Sequence, residues 1–259
     1  MSQTTALTLD PPTRKPPKNS PANRLFYPAA AMLILVMMFL GFMPYYLHGK
    51  AFGGRDVAPT IHTLVLLHGI AMTAWVLLFL VQPLLIATGR RRLHMRLGRV
   101  GAVLAICIIV LGWNMAIRST RLIPPQARIW GVAPSQFMLG PIGTIVIFGL
   151  FVAAGIYFRR RPEIHRPIML MATLLVLPAA VARIAPLSSL YQNTALASLF
   201  GPYLWTLIFA TLLLLAKWAL TRSFDRWFAI AYACLLATYL LTWHLATTRA
   251  WNWIATMLL

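Results

Sequence analysis

The stretch from Ile61 to Gly101, IHTLVLLHGIAMTAWVLLFLVQPLLIATGRRRLHMRLGRVG, sets the terms for the rest of the chain. It joins an apolar run long enough to cross a bilayer, which takes about 20 residues of helix, to an abrupt basic block. Lipid offers the backbone no hydrogen-bond partner, so such a run has to be helical. The same stretch holds three of the six histidines.

The remainder of the sequence is of the same kind. Hydrophobic residues fill 60% of 259 positions, charged residues 10%, and the mean hydropathy is +0.75. A soluble domain is about one quarter charged, so this composition cannot cover a water-facing surface. The fold class it implies is all-α, a polytopic transmembrane helical bundle. The net charge of +19 does not point to nucleic acid, because the Lys and Arg residues sit almost wholly between apolar runs, where they set topology and face anionic headgroups. The four acidic residues, Asp10, Asp56, Glu163 and Asp225, all fall outside the predicted spans. That argues against a transporter driven by a buried carboxylate proton relay and leaves histidine for any such task. Cys107 and Cys234 lie inside spans without a C-x-x-C pattern, so they read as packing residues. There is no Walker or Rossmann glycine pattern, no H-E-x-x-H and no G-x-S-x-G, so the hydrolytic and nucleotide-dependent classes those motifs serve have no support.

Residues 1–25 form a proline-rich basic tail without apolar periodicity, read as disordered. Residues 26–259 form the membrane domain, with its core hairpins at 60–185. Its seven spans are expected at roughly 26–47, 62–88, 100–117, 137–158, 167–185, 200–220 and 228–248, the fifth kinked by Pro178. Of the 23 Lys and Arg residues, sixteen fall in one set of alternate connections and seven in the other. The heavier side is cytoplasmic by the positive-inside rule, which places the N-terminus inside and the protein in a bacterial inner membrane. Two of the basic turns resemble each other, GRRRLHMRLG at 89–98 and FRRRPEIHRPIML at 158–170. They suggest that spans two to five are two related hairpins, although basic turns also resemble one another for topological reasons alone.

The histidines fall in two layers. His68 and His244 lie one to two turns inside the outer edge of the second and seventh spans, with His48 and His62 nearer that edge. His94 and His165 open the third and fifth spans at the basic edge. On the second span His68, Met72, Trp75, Phe79 and Gln82 share a face by their spacing. On the seventh, Ala233, Ala237 and His244 make a stripe of small residues. Two imidazoles from facing helices at one depth suit a bis-histidine b-type haem. His68 and His244 are therefore the expected metal ligands, with Arg183 among the basic residues placed to pair with a propionate. The competing reading is that both histidines simply bond neighbouring backbone. A copper site from Met37, Met38, Met43 and Met72 beside histidine is also open. His94 and His165 are candidates for a second haem or a quinone headgroup, or for helix caps and lipid-phosphate contacts. Gln82 and Asn114 read as interhelical hydrogen-bonding groups.

In three stretches, HTLVLLHGIAMTAWVLLFLVQ, LHMRLGRVGAVLA and IHRPIMLMATLLVLPAAVAR, the chain resembles a group of bacterial polytopic membrane proteins of no established activity. The shared elements are H-G-x-x-x-x-x-W (His68, Gly69, Trp75), H-x-R-L-G (His94, Arg96, Leu97, Gly98) and an H-R-x-x-M-L span ending in arginine (His165, Arg166, Met169, Arg183). The one-histidine-per-helix layout is also loosely similar to the cytochrome b561 type. That likeness implies bundle-bound haem and electron transfer, although here the inner histidines sit in basic turns and His244 lies on an additional helix. The expected function is a haem-containing electron-transfer protein embedded in the lipid bilayer, with a quinone or another redox protein as partner. The alternative is a cofactor-free assembly factor or small-solute permease.

Overall fold

The structure, a computed structural model, describes residues 21–51 and 56–259, with side chains from residue 25 onward. The tail expected over residues 1–25 lies almost wholly outside the described residues, as does Arg55. Among the described residues twelve α-helices follow one another: α1 Pro21–His48, α2 His62–Ala87, α3 Arg91–Arg121, α4 Pro134–Phe137, α5 Leu139–Tyr157, α6 Pro162–Leu175, α7 Pro178–Val181, α8 Ala185–Ser189, α9 Ala195–Phe200, α10 Leu204–Thr221, α11 Arg226–Leu245 and α12 Arg249–Leu258. Among the described residues there is no β-strand beyond isolated bridges. Among the described residues seven helical stretches are long and apolar enough to cross a membrane, and the chain is a multi-pass membrane protein. Its exterior carries Leu, Val, Ile and Met side chains along α1, α2, α3 and α10, as lipid requires and water would not tolerate.

Local chemistry sets the breaks. Pro178 closes off α6, whose last residue is Leu175, and restarts the chain as the short α7, because proline cannot donate to the turn before it. Gly89 and Gly201 turn the chain at positive φ (77° and 52°), where a Cβ would be strained. The arginines of the second connection do not stand apart from their helix: α3 starts at Arg91 and takes them into its first turns.

The packing follows two hairpins. α2 packs along α3 and α5 along α6, and α3 joins the pairs by packing on α5. α1 closes the ring against α2 and against the α6–α7 break, while α10 and α11 cover the outside, with α11 on α5 and α6. Gly41 permits the closure, since a Cβ there would collide with the Ala180 backbone. In the middle of the ring Trp75 of α2 meets Phe148 of α5 edge to face, centroids 4.9 Å apart, and donates its indole N–H to Thr173 of α6 at 3.3 Å. Both aromatics are buried, so the centre of the bundle is plugged.

α12 was not among the expected elements. Its ten residues, about 15 Å of helix, are too short to span a bilayer. Trp251 and Ala255 are buried against the bundle, with the Trp251 indole donating to the Ser135 carbonyl at 3.0 Å. Trp253 and Met257 face outward.

Candidate functional site

His94 sits in the first turn of α3 and His165 in the first turn of α6, so both project from the Arg-rich edge toward the space between the hairpins. Their rings are perpendicular, at 86°, with centroids 6.5 Å apart. Both are half-buried. Each is held by the helix that precedes it in its own hairpin. His165 Nδ1 lies 2.7 Å from the Gly155 carbonyl of α5. A carbonyl only accepts, so Nδ1 carries the proton and Nε2 of the neutral ring is bare. His94 Nδ1 meets the Gln82 amide of α2. With that amide turned to satisfy both ends, its nitrogen donates to His94 and its oxygen accepts from the Gly98 N–H at 3.0 Å. The two rings are too far apart for a direct hydrogen bond, whose N···N span is about 3 Å. They leave room for a bridging atom.

Two arginines frame this pair. Arg91 bears electrostatically on His94, and Arg166 bears on both rings. Arg90, Arg91 and Arg92 also line a surface cleft of about 560 Å³ at the α2–α3 turn, together with Gly89, Leu93 and Met95. Among the described residues the two ion pairs are Lys50–Asp56 and Lys217–Asp225, so these arginines keep their charge toward solvent and headgroups.

The outer histidines are placed differently from the expectation. His68 faces α3 and α5: a Cβ on Gly112 would lie 2.7 Å from Ile145 and 3.4 Å from the His68 ring. Its Nδ1 is buried without a hydrogen-bond partner. His244 is exposed, while its neighbours Thr242 and Trp243 turn inward, and Thr242 packs on Gly143 of α5. Gly143 and Ile145 are two residues apart, about 200° around the helix, so α5 stands between the two histidines. The structure does not bring them together as the two ligands of one centre. The reason is rotational: spacing along a helix gives depth and face, but not which helix that face meets. His48 and His62 are exposed near the same edge.

Arg183 follows α7, donates to the Ala179 carbonyl and lies over the Phe42 ring at 4.9 Å. It belongs to the α1–α7 contact and not to the inner pair. Asn114 bonds the Val110 carbonyl of its own helix at 2.8 Å and makes no bridge to a neighbour. Gln82 does bridge two helices, α2 and α3. Cys107 and Cys234 are unbridged and face outward, not into the packed interior. Among the described residues no three His, Cys, Asp or Glu side chains cluster as a metal cage.

The sequence reading missed a second polar centre. Lys217, near the end of α10, donates to the Tyr27 hydroxyl at 2.7 Å and pairs with Asp225 at 2.8 Å. The rings of Tyr27, Phe228 and Phe26 surround its ammonium at 4.7, 5.3 and 5.6 Å. Asp225 also accepts from the Phe228 N–H at 3.0 Å, capping α11. Its one legible signal was an acidic residue in a connection otherwise basic.

No protein-family model, no curated protein and no solved structure matches this chain.

Proposed function

We propose that this membrane protein transfers electrons through a b-type haem held by His94 and His165 at the cytoplasmic edge of a bacterial inner membrane. The observation that carries the reading is the spacing of the two rings. Metal–imidazole bonds run about 2.0–2.1 Å, so rings at this separation, too far apart to bond each other, would both be within reach of one shared metal ion. The observed separation is 6.5 Å. The donor set fits as well. The Gly155 carbonyl fixes the tautomer of His165 with Nε2 free, the usual outer support of a metal-bound imidazole. At His94 the amide that satisfies both its neighbours donates to Nδ1, so baring Nε2 for a metal there would require Gln82 to turn over and give up its bond from the Gly98 N–H. Bound there, the iron would supply one-electron transfer. The protein's own residues orient the two rings, and the arginines offer cations to propionates.

The alternative is a cofactor-free assembly factor or permease in which the same bonds only lock each hairpin. The bonds from Gly155 and Gln82 favour it to the extent that they satisfy the rings without a ligand. The visible spectrum of the purified, reduced protein separates the two. A sharp alpha band supports haem, and a protein without one in both redox states is of the cofactor-free class.

A further inference from the structure

After α11 the chain turns back onto the bundle as α12, at the edge opposite the Arg-rich one, where α3 and α11 end and α5 begins. We propose that α12 is an in-plane anchor, half-immersed in the lipid–water interface of the leaflet at that edge, with phospholipid covering its free apolar flank. The assignment is independent of the haem reading.

The 20 residues of α11 make about 30 Å of helix, the thickness of a hydrocarbon core. Its end at Leu245 therefore stands at the lipid boundary, and α12 starts at Arg249. Both ends of α12 are tied to that boundary. At its start Thr248 accepts from the Trp251 N–H at 3.3 Å, and the Trp251 indole donates to Ser135 of α4. At its end the Leu258 carbonyl accepts from Arg121, the last residue of α3, at 2.7 Å. A helix held at both ends by groups of one edge runs along that edge.

Its faces divide accordingly. Successive residues turn by about 100°, so the buried Trp251 and Ala255 share one line, packed with Ala116, Met138 and Ile142. Ile254 and Met257 lie on one flank of that line and are exposed. Arg249, Thr256 and Asn252 lie on the other flank, the first two exposed and Asn252 half-buried. Trp253 stands opposite the buried line, where the flanks meet, and is exposed. An apolar flank and a polar flank with a tryptophan between them match the lipid–water interface, where an indole keeps its body in lipid and its N–H in water. Arg249 and Arg121, both exposed, add cations at the level of the phosphates. Leu241 and Leu245, in the last turns of α11, are exposed as well, so the lipid-facing surface reaches the start of α12. A second copy of the chain is the weaker occupant, because three side chains of one short helix fall far below the roughly 800 Å² per partner of a stable interface.

The test is site-directed spin labelling of the full-length protein, carrying Cys107→Ala and Cys234→Ala, in nanodiscs of phosphatidylcholine and phosphatidylglycerol. Single labels are introduced through Asn252→Cys, Ile254→Cys, Thr256→Cys and Met257→Cys, none of which removes a buried side chain. Collisions are read with oxygen, which concentrates in lipid, and with a water-soluble nickel chelate. The ratio of oxygen to nickel collisions is expected to be severalfold higher for labels at Ile254 and Met257 than for those at Asn252 and Thr256. Equal or reversed ratios would overturn the anchor, because α12 would then stand wholly in one phase or present the wrong flank to lipid. So would labels at Ile254 and Met257 that neither reagent reaches, which would give the flank to protein, and to a second copy if their spectra also broaden.

Discussion

Lys217 and Asp225 are joined at 2.8 Å with side chains only 13% and 23% exposed, and through them one lysine ties together α1, α10 and α11. Removing one partner of such a pair leaves the other charge buried and costs about 3–5 kcal/mol. Asp225 is also the cap of α11, and losing a cap costs about 1 kcal/mol. Asp225→Asn, which keeps the cap and loses the charge, should therefore lower the thermal midpoint in detergent well below that of the wild type, and Asp225→Ala, which loses the cap as well, a little further. An Asp225→Asn midpoint equal to that of the wild type would show that the pair contributes little.

Trp75 is the plug of the bundle, meeting Phe148 and bonding Thr173. Its removal leaves a cavity and takes one of the two hydrogen bonds of the buried Thr173 hydroxyl, which keeps its bond to the Met169 carbonyl. Trp75→Ala should cost about 3–5 kcal/mol by the usual penalty for a buried aromatic, read as a large fall in the midpoint of reversible unfolding in mixed micelles.

Gly41 lies against the Ala180 backbone. The colliding atoms are main chain and cannot swing aside, so Gly41→Val should force α1 off the α6–α7 break and reduce folded yield. A substitution such as Gly49→Ala meets no neighbouring atom, but pays the strain of a positive φ of 66°. Its effect should be the smaller of the two in the same gel-filtration assay.

Gln82 positions His94 without touching any ligand. Gln82→Leu leaves Nδ1 of His94 without its partner, at about 1–3 kcal/mol for a half-buried polar group. Under the haem reading it should retain the alpha band but shift the midpoint potential, since a hydrogen bond to the outer nitrogen of an imidazole that would hold the metal tunes that metal. Gln82→Glu, which can accept from Nδ1–H, should also retain the band and move the potential again.

The bundle itself was legible because lipid imposes a length and an apolarity that no other environment demands. All seven spans follow from runs such as LVLLHGIAMTAWVLLFL and from the arginine turns between them, and Pro178 marked its break. α12 was not, because ten amphipathic residues fall below any spanning length. The face shared by His68, Met72, Trp75, Phe79 and Gln82 could be read from spacing; in the structure Trp75 and Phe79 are buried and the other three half-buried. Which helix that face meets could not be read, so His68 and His244 were paired by depth although α5 lies between them. The His94–His165 juxtaposition left a fainter trace in the two similar turns. Its meaning depended on α3 packing against α5 and on the bonds from Gln82 and Gly155. These are long-range facts that no local pattern contains.

The central claim is that His94 and His165, not His68 and His244, are the working pair. Reduced-minus-oxidised visible spectra of the wild type and of His94→Ala, His165→Ala, His68→Ala and His244→Ala test it most directly. The alpha band should be present in the wild type and in the His68 and His244 variants, and absent when either inner histidine is replaced. A band that survives in His165→Ala, or one that disappears in His244→Ala, would contradict it.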